Sequence, residues 1–251
     1  MEERNYVVQA LIIRSKNFKE NDKLITFYSP EKGKQTAIAK GVLKEKSSLR
    51  GSVQPFCYCR LSLAKGRGNL DIITQGQVIE PFLRLRTDLE RIAYASYIAE
   101  LLNISVPEKK PDSGLFALLL AAFSLLELHD DLPLTRHFFE LKLLAALGLA
   151  PYLERCMVCG RRGLGTQFYL SPFRGGLVCA ACHDSQQFLI SPGTVQVIRH
   201  LLNCPLAKVP NLKISPQCEK ELQQVLDNYL DYHLEYMARA RGVLQQLLAD
   251  N

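Results

Sequence analysis

The chain has 251 residues, 47% of them hydrophobic, and a formal net charge of +6. That is enough apolar material for a real core and enough length for two domains, which excludes disorder as the default reading. The longest strongly apolar run, residues 115–126, is too short to cross a bilayer of about 30 Å. The start, Met1-Glu2-Glu3-Arg4-Asn5, lacks the basic and apolar regions of a signal peptide, so the sequence reads as cytoplasmic with its eight cysteines reduced.

Charge is uneven along the chain. Residues 1–80 carry 14 Lys and Arg against 8 Asp and Glu, whereas residues 81–251 carry 17 of each. The basic part also reads as strand. Segments 5–15, 23–29, 34–40, 53–64 and 69–79 are rich in β-branched, aromatic or alternating apolar residues. Asn21-Asp22, Ser29-Pro30, Gly33 and Gly66-Arg67-Gly68 separate them as turns. Five short strands fit a small barrel, with the OB-fold first and an SH3-like barrel still open.

A small basic barrel suggests a polyanion partner. Its cations cluster in turns and at strand ends: Arg14, Lys16, Lys32, Lys34, Lys40, Lys44, Lys46, Arg50, Lys65 and Arg67. Residues 40–50, with Gly41, Ser47, Ser48 and the following Gly51, read as a flexible basic loop able to follow a phosphate backbone. An ordinary solvated loop has the same composition. On the fourth strand, alternation puts Cys57, Cys59, Leu61 and Leu63 on the core side and Phe56, Tyr58 and Arg60 on the other. That second set resembles a platform for stacking unpaired bases, or equally a cover for the helical part.

After Pro81 the apolar period becomes helical, at 86–103, 113–129 and 134–147, with an amphipathic helix or pair of helices over 216–249. Between them, Cys156-x-x-Cys159 and Cys179-x-x-Cys182 have the spacing of a four-cysteine zinc site. Glycines crowd the insert, as expected of a ribbon that folds around an ion. Four thiolates fill a tetrahedron and leave no place for a reacting water, so Zn2+ would be structural. His183 offers a substitute ligand or is an exposed bystander.

The expected architecture is α+β: an OB-fold domain at 1–80 that binds nucleic acid, then a helical domain at 81–251 with a zinc-binding insert at about 154–185. No phosphate-binding loop, dinucleotide fingerprint, H-E-x-x-H or G-x-S-x-G motif is present. The chain is therefore expected to bind rather than to catalyse. Asp130-Asp131 before Pro133 reads as a solvated loop and helix start.

Taken together, the stretches 21–26 (Asn-Asp-Lys-Leu-Ile-Thr), Gly33-Lys34, Ala39-Lys40-Gly41, 49–56 (Leu-Arg-Gly-Ser-Val-Gln-Pro-Phe) and 138–144 (Phe-Phe-Glu-Leu-Lys-Leu-Leu), followed by Gly148, resemble the bacterial RecO family of DNA repair proteins. The resemblance covers almost the whole chain. It implies an OB-fold, a helical domain, an inserted zinc ribbon and a nucleoid-associated recombination mediator. Such a mediator binds single- and double-stranded DNA and anneals complementary strands. It works with RecR to load RecA on DNA coated by single-strand binding protein. The acidic, apolar tail of that coating protein needs a cation beside an apolar groove, for which Arg136 is the candidate. The residues alone leave open an OB-fold RNA-binding protein with a structural zinc ribbon, and a protein-binding scaffold. A zinc nuclease is disfavoured by the closed quartet.

Overall fold

A computed structural model describes residues 5–66, 68–162, 167–184, 187–234, 241–242, 244–245 and 248. Backbone packing groups the chain into two compact units, Met1–Asp130 with Ala240–Asn251, and Asp131–Arg239.

Period-two alternation builds the first unit's barrel. Strands β1 (Asn5–Asn17), β2 (Lys23–Ser29), β3 (Gly33–Ala39), β4 (Tyr58–Ala64) and β5 (Asp71–Glu80) close in the order β1-β2-β3-β5-β4. The β3–β5 pairing is parallel and the others antiparallel, which is the OB-fold topology. Val8, Ala10, Ile12, Ile25, Phe27, Ala37, Cys59, Leu61, Leu63 and Ile73 fill the interior. A register shift between Ile12 and Arg14 bends β1 and adds the local twist that closure of a small barrel requires.

The fourth strand begins at Tyr58, five residues later than alternation from Val53 predicts. Pro55 has no N–H to give a ladder, and Phe56 takes a left-handed φ of 67°. The turn-rich stretch before it is anchored instead of free. Val42, Leu49, Val53 and Cys57 are buried in the barrel core, and the Phe56 N–H donates to the Ile12 carbonyl at 2.8 Å.

Strand gives way to helix at Pro81, but α1 (Arg84–Thr87), α2 (Leu89–Ser105) and α3 (Ser113–Leu128) belong to the barrel's compact unit. The reason is packing: α2 meets β1, and α3 meets β1 and β2. Phe123 of α3 makes edge contacts with Phe56 and Phe82. Asp88 and Asp112 cap α2 and α3 by accepting from the N–H of Arg91 and Leu115. Arg91 is buried and reaches the C-terminal end of α3, donating to the Leu126 and His129 carbonyls and to Asp130.

The second unit opens with α4 (Leu132–Ala146), capped by Asp131, whose carboxylate accepts from the Leu134 N–H at 3.0 Å. Asp130 and Asp131 are thus an ion-pair partner and a helix cap. A three-stranded ribbon follows, β6 (Phe168–Ser171), β7 (Gly176–Cys179) and β8 (Phe188–Ile190), in the order β7-β6-β8. Helix α5 (Pro192–Asn203) is additional to the helices that the apolar period indicates, although Ser191 as cap and Pro192 in the first turn are ordinary start signals. Helix α6 (Pro216–His233) buries Leu222, Val225, Leu226, Tyr229 and Leu230, the expected stripe. Tyr236, Met237 and Leu247 of that stripe lie outside the described residues. Among the described residues no helix is long and apolar enough to cross a membrane.

Candidate metal centre and nucleic-acid interface

The four ribbon cysteines come together as their spacing predicts. Their Sγ atoms all lie within 4.8 Å of one another, and Cys159 and Cys179 are 3.9 Å apart. A tetrahedral ion with metal–sulfur bonds of about 2.3 Å sets sulfur–sulfur edges near 3.8 Å, so the donor set fits a metal ion. Each pair sits on a knuckle. The first is tied to β7 by the Met157 N–H donating to the Leu177 carbonyl at 2.8 Å, and Gly160 at φ 71° completes its turn. At Gly176 an added Cβ would stand 2.4 Å from the Tyr152 carbonyl oxygen, so only glycine lets these segments meet.

The backbone of the knuckles favours the sulfur anion at Cys156. Burial acts to raise the Cys156 thiol, but backbone N–H groups of Cys159, Cys179 and Val158 favour the thiolate and bring it down to about 6. Those of Val158 and Cys179 approach its Sγ at 3.4 Å. His183 is outside the quartet. Its ring stacks on Tyr169 at 4.0 Å, and its Nδ1 lies 2.8 Å from the Ala180 carbonyl oxygen.

The basic residues divide into two groups. Arg14, Lys16, Lys40, Lys44, Lys46, Arg60 and Lys65 are exposed on the barrel. Arg60 lies across the ladder from Gln9 on β1 and Gln77 on β5. Arg50 is exposed but employed: its Nη2 donates to the Leu43 and Lys44 carbonyls, both at 3.0 Å, and staples the loop that carries the lysines. Lys34 is not a surface cation. Its Nζ donates to the Asn103 carbonyl at 2.6 Å, and burial pushes its pKa down against the pull of Glu108 and Glu100. Arg67 lies outside the described residues.

Two expectations require correction. Phe56 is 6% exposed and packs its ring edge-on to Phe123, while Tyr58 meets Phe116 and donates its hydroxyl to Gln9. These rings cover the core under α3 and do not present a stacking platform. Alternation holds, with Cys57 and Cys59 in the barrel core, and the opposite face is the cover for the helical part that the sequence also allowed. Arg136 is 5% exposed, with Nε on Glu140 at 2.8 Å and Nη2 on Asp227 at 2.7 Å. A guanidinium held by two carboxylates inside a unit is not the open cation that an acidic tail needs. Sequence reasoning misses this network because Asp227 is 91 residues away, and it passes over Tyr6 and Lys109, which no local spacing joins to Lys65.

Known proteins place this arrangement. Residues 1–82 match the family described as Recombination protein O N terminal, and residues 86–240 match Recombination protein O C terminal. A DNA repair protein RecO of Desulforamulus reducens is 36% identical over 248 residues, 98% of this chain and 96% of the relative. The DNA repair protein RecO of Pelotomaculum thermopropionicum is 41% identical over 92% of this chain and 90% of its own, and that of Bacillus pumilus is 30% identical over 95% and 93%. Barrel, helices and cysteine quartet all fall inside these matches, and the chain belongs to the RecO family.

Proposed function

We propose that the chain is a DNA repair and recombination mediator. In this reading it binds single- and double-stranded DNA, anneals complementary strands and, with RecR, helps load RecA onto DNA coated by single-strand binding protein. The observation that carries this reading is the family match along nearly the whole chain, joined to an exposed, anchored set of lysines on the barrel loop. Residues 1–80 hold the DNA surface and residues 81–251 the metal-bound and partner-binding part. The protein acts by binding and not by making bonds.

The physical basis of annealing is electrostatic. Two single strands repel through their phosphates, and a cationic surface that neutralises both lowers the barrier while leaving base edges free to pair. Lys40, Lys44 and Lys46 supply that surface on a backbone fixed by Val42, Leu49 and the Arg50 staple. The metal is Zn2+, held by Cys156, Cys159, Cys179 and Cys182, and its role is to fold the ribbon.

The test is the rate of annealing of complementary oligonucleotides coated with single-strand binding protein, without ATP. The chain should accelerate it, and Lys40→Ala with Lys44→Ala and Lys46→Ala should remove most of the acceleration. The same variant should flatten the salt dependence of single-strand binding by about 0.7 in slope for each phosphate it no longer neutralises. No acceleration by folded, zinc-loaded protein refutes the reading.

A further inference from the structure

A second group of ammonium ions stands on the barrel, away from the loop at 40–50. A cavity of about 1100 Å³ is lined by Tyr6 of β1, Lys32 of the β2–β3 turn, Lys65 and Asp71 from either side of the β4–β5 connection, and Glu108 and Lys109 from the segment between α2 and α3. All belong to one compact unit. Lys32 Nζ lies 5.6 Å and Lys65 Nζ 6.0 Å from the centre of the Tyr6 ring, so two ammonium groups share one aromatic support.

Two carboxylates of this cavity, Asp71 and Glu31, have protein hydrogen-bond donors, whereas its lysines have no carboxylate partner among the described residues. Asp71 accepts from the Tyr6 hydroxyl at 2.5 Å and from the Gly66 N–H at 3.4 Å. Glu31 accepts from the Gln9 N–H at 3.4 Å. Among the described residues Lys32, Lys65 and Lys109 enter no ion pair. Burial and the Asp71 contact raise the Tyr6 hydroxyl above its ordinary value, so it stays protonated and able to donate to Asp71.

The wall bearing Lys109 is built and constrained. Lys109 has a left-handed φ of 59°, an uncommon conformation for a residue with a side chain. Its N–H donates to the Lys34 carbonyl at 2.9 Å, beside a parallel bridge between Lys34 and Glu108. Gly33 leaves room for this approach, since an added Cβ would stand 2.2 Å from the Lys110 carbonyl oxygen.

We propose that this cavity seats one unpaired nucleotide of a DNA strand, with its phosphate against Lys32, Lys65 and Lys109. The inference rests on the reading of the chain as a DNA-binding mediator and adds a site that discriminates between single and double strands. The cavity is a partly open cleft with room for one nucleotide. A base in it is unpaired, so an exocyclic amino group on its exposed pairing edge, where the base carries one, can donate to the carboxylate of Glu31 or Glu108. A bare phosphate ion offers those carboxylates nothing. A duplex keeps its bases stacked and paired inside, with only backbone and groove edges outside, so no base enters the cavity.

The experiment is fluorescence anisotropy of the full chain with a single-stranded oligonucleotide and with a blunt duplex of equal length, over a series of salt concentrations. Lys32→Ala, Lys65→Ala and Lys109→Ala are combined in one variant, with Lys109→Glu alone as a second. The triple variant should lose about tenfold in single-strand affinity, with the salt slope reduced by about 0.7 for one phosphate, and less than about twofold on duplex. Lys109→Glu should weaken single-strand binding in the same sense. Equal losses on both DNA forms assign these lysines to general backbone attraction and overturn the pocket, as does no loss on either. A wild-type chain that binds neither DNA form overturns the mediator reading as well, which separates that failure from failure of the pocket alone.

Discussion

Removing the guanidinium of Arg136 should be among the most damaging single changes in the second unit. Its side chain is 5% exposed, Glu140 is 0% exposed, and the two meet at 2.8 Å, with Asp227 on the other guanidinium nitrogen at 2.7 Å. Arg136→Ala leaves the Glu140 carboxylate buried without that counter-charge, a defect worth about 3–5 kcal/mol. For a chain of this size each kcal/mol moves the unfolding midpoint by about 2–4 °C, so a fall of about 6–20 °C is expected. The assay is thermal unfolding followed by circular dichroism at fixed zinc and ionic strength. Arg136→Met with Glu140→Gln removes both charges, keeps an oxygen for the buried His137 Nδ1 that Glu140 meets at 3.1 Å, and should recover much of the loss, since Asp227, on the more exposed side, regains water. A midpoint within about 2 °C of wild type for Arg136→Ala, or a double variant no better than the single, refutes the assignment.

Three further outcomes follow from particular contacts. The purified chain should hold about one zinc ion, and Cys156→Ser with Cys179→Ser should bring metal content near zero by elemental analysis while leaving the barrel's amide protection intact. Gly33→Ala should cost about 2 kcal/mol or more in urea unfolding, because its φ of 68° strains any side chain and the new Cβ meets the Lys110 carbonyl. Asp130 is held below its ordinary value of 3.8 by hydrogen bonds from Arg91 first and Arg84 second. Its contribution is therefore present above 3.8 and lost as pH falls through the depressed folded value. The stability difference between wild type and Asp130→Asn should accordingly be seen near neutral pH and vanish in strong acid.

Much of the barrel was legible because one face of each strand is buried and alternation reports burial directly. Leu61 and Leu63, spaced by two, are both inside. The same rule failed at residues 53–57, where Val53 and Cys57 are buried as strand residues would be but Pro55 and Phe56 force turns between them. The quartet was legible because knuckle geometry is local, two residues between ligands. Long-range meetings left no such trace. Arg136 looks like an exposed helical cation until Asp227 arrives from α6, and the partners of Lys65 come from β1, the β2–β3 turn and the α2–α3 connection. Charge in a sequence is thus a count of groups, and only packing decides which of them face a ligand.

The loop at 40–50 makes that distinction a quantity. Composition alone reads it as flexible, yet Val42 and Leu49 insert into the core and Arg50 ties two of its carbonyls. A cationic surface held in place pays less ordering entropy when DNA binds than a mobile one with the same charge. Leu49→Ala separates the two pictures, because it removes one of the loop's two apolar anchors and leaves every lysine. It should destabilise the barrel by about 2–5 kcal/mol and, at a temperature where the variant remains folded, weaken single-strand binding by several-fold with the salt slope unchanged. The slope counts phosphates neutralised, whereas the intercept carries the cost of ordering. If affinity is unaltered in Leu49→Ala while the lysine variant loses it, charge acts without placement and the anchored loop has no part in recognition.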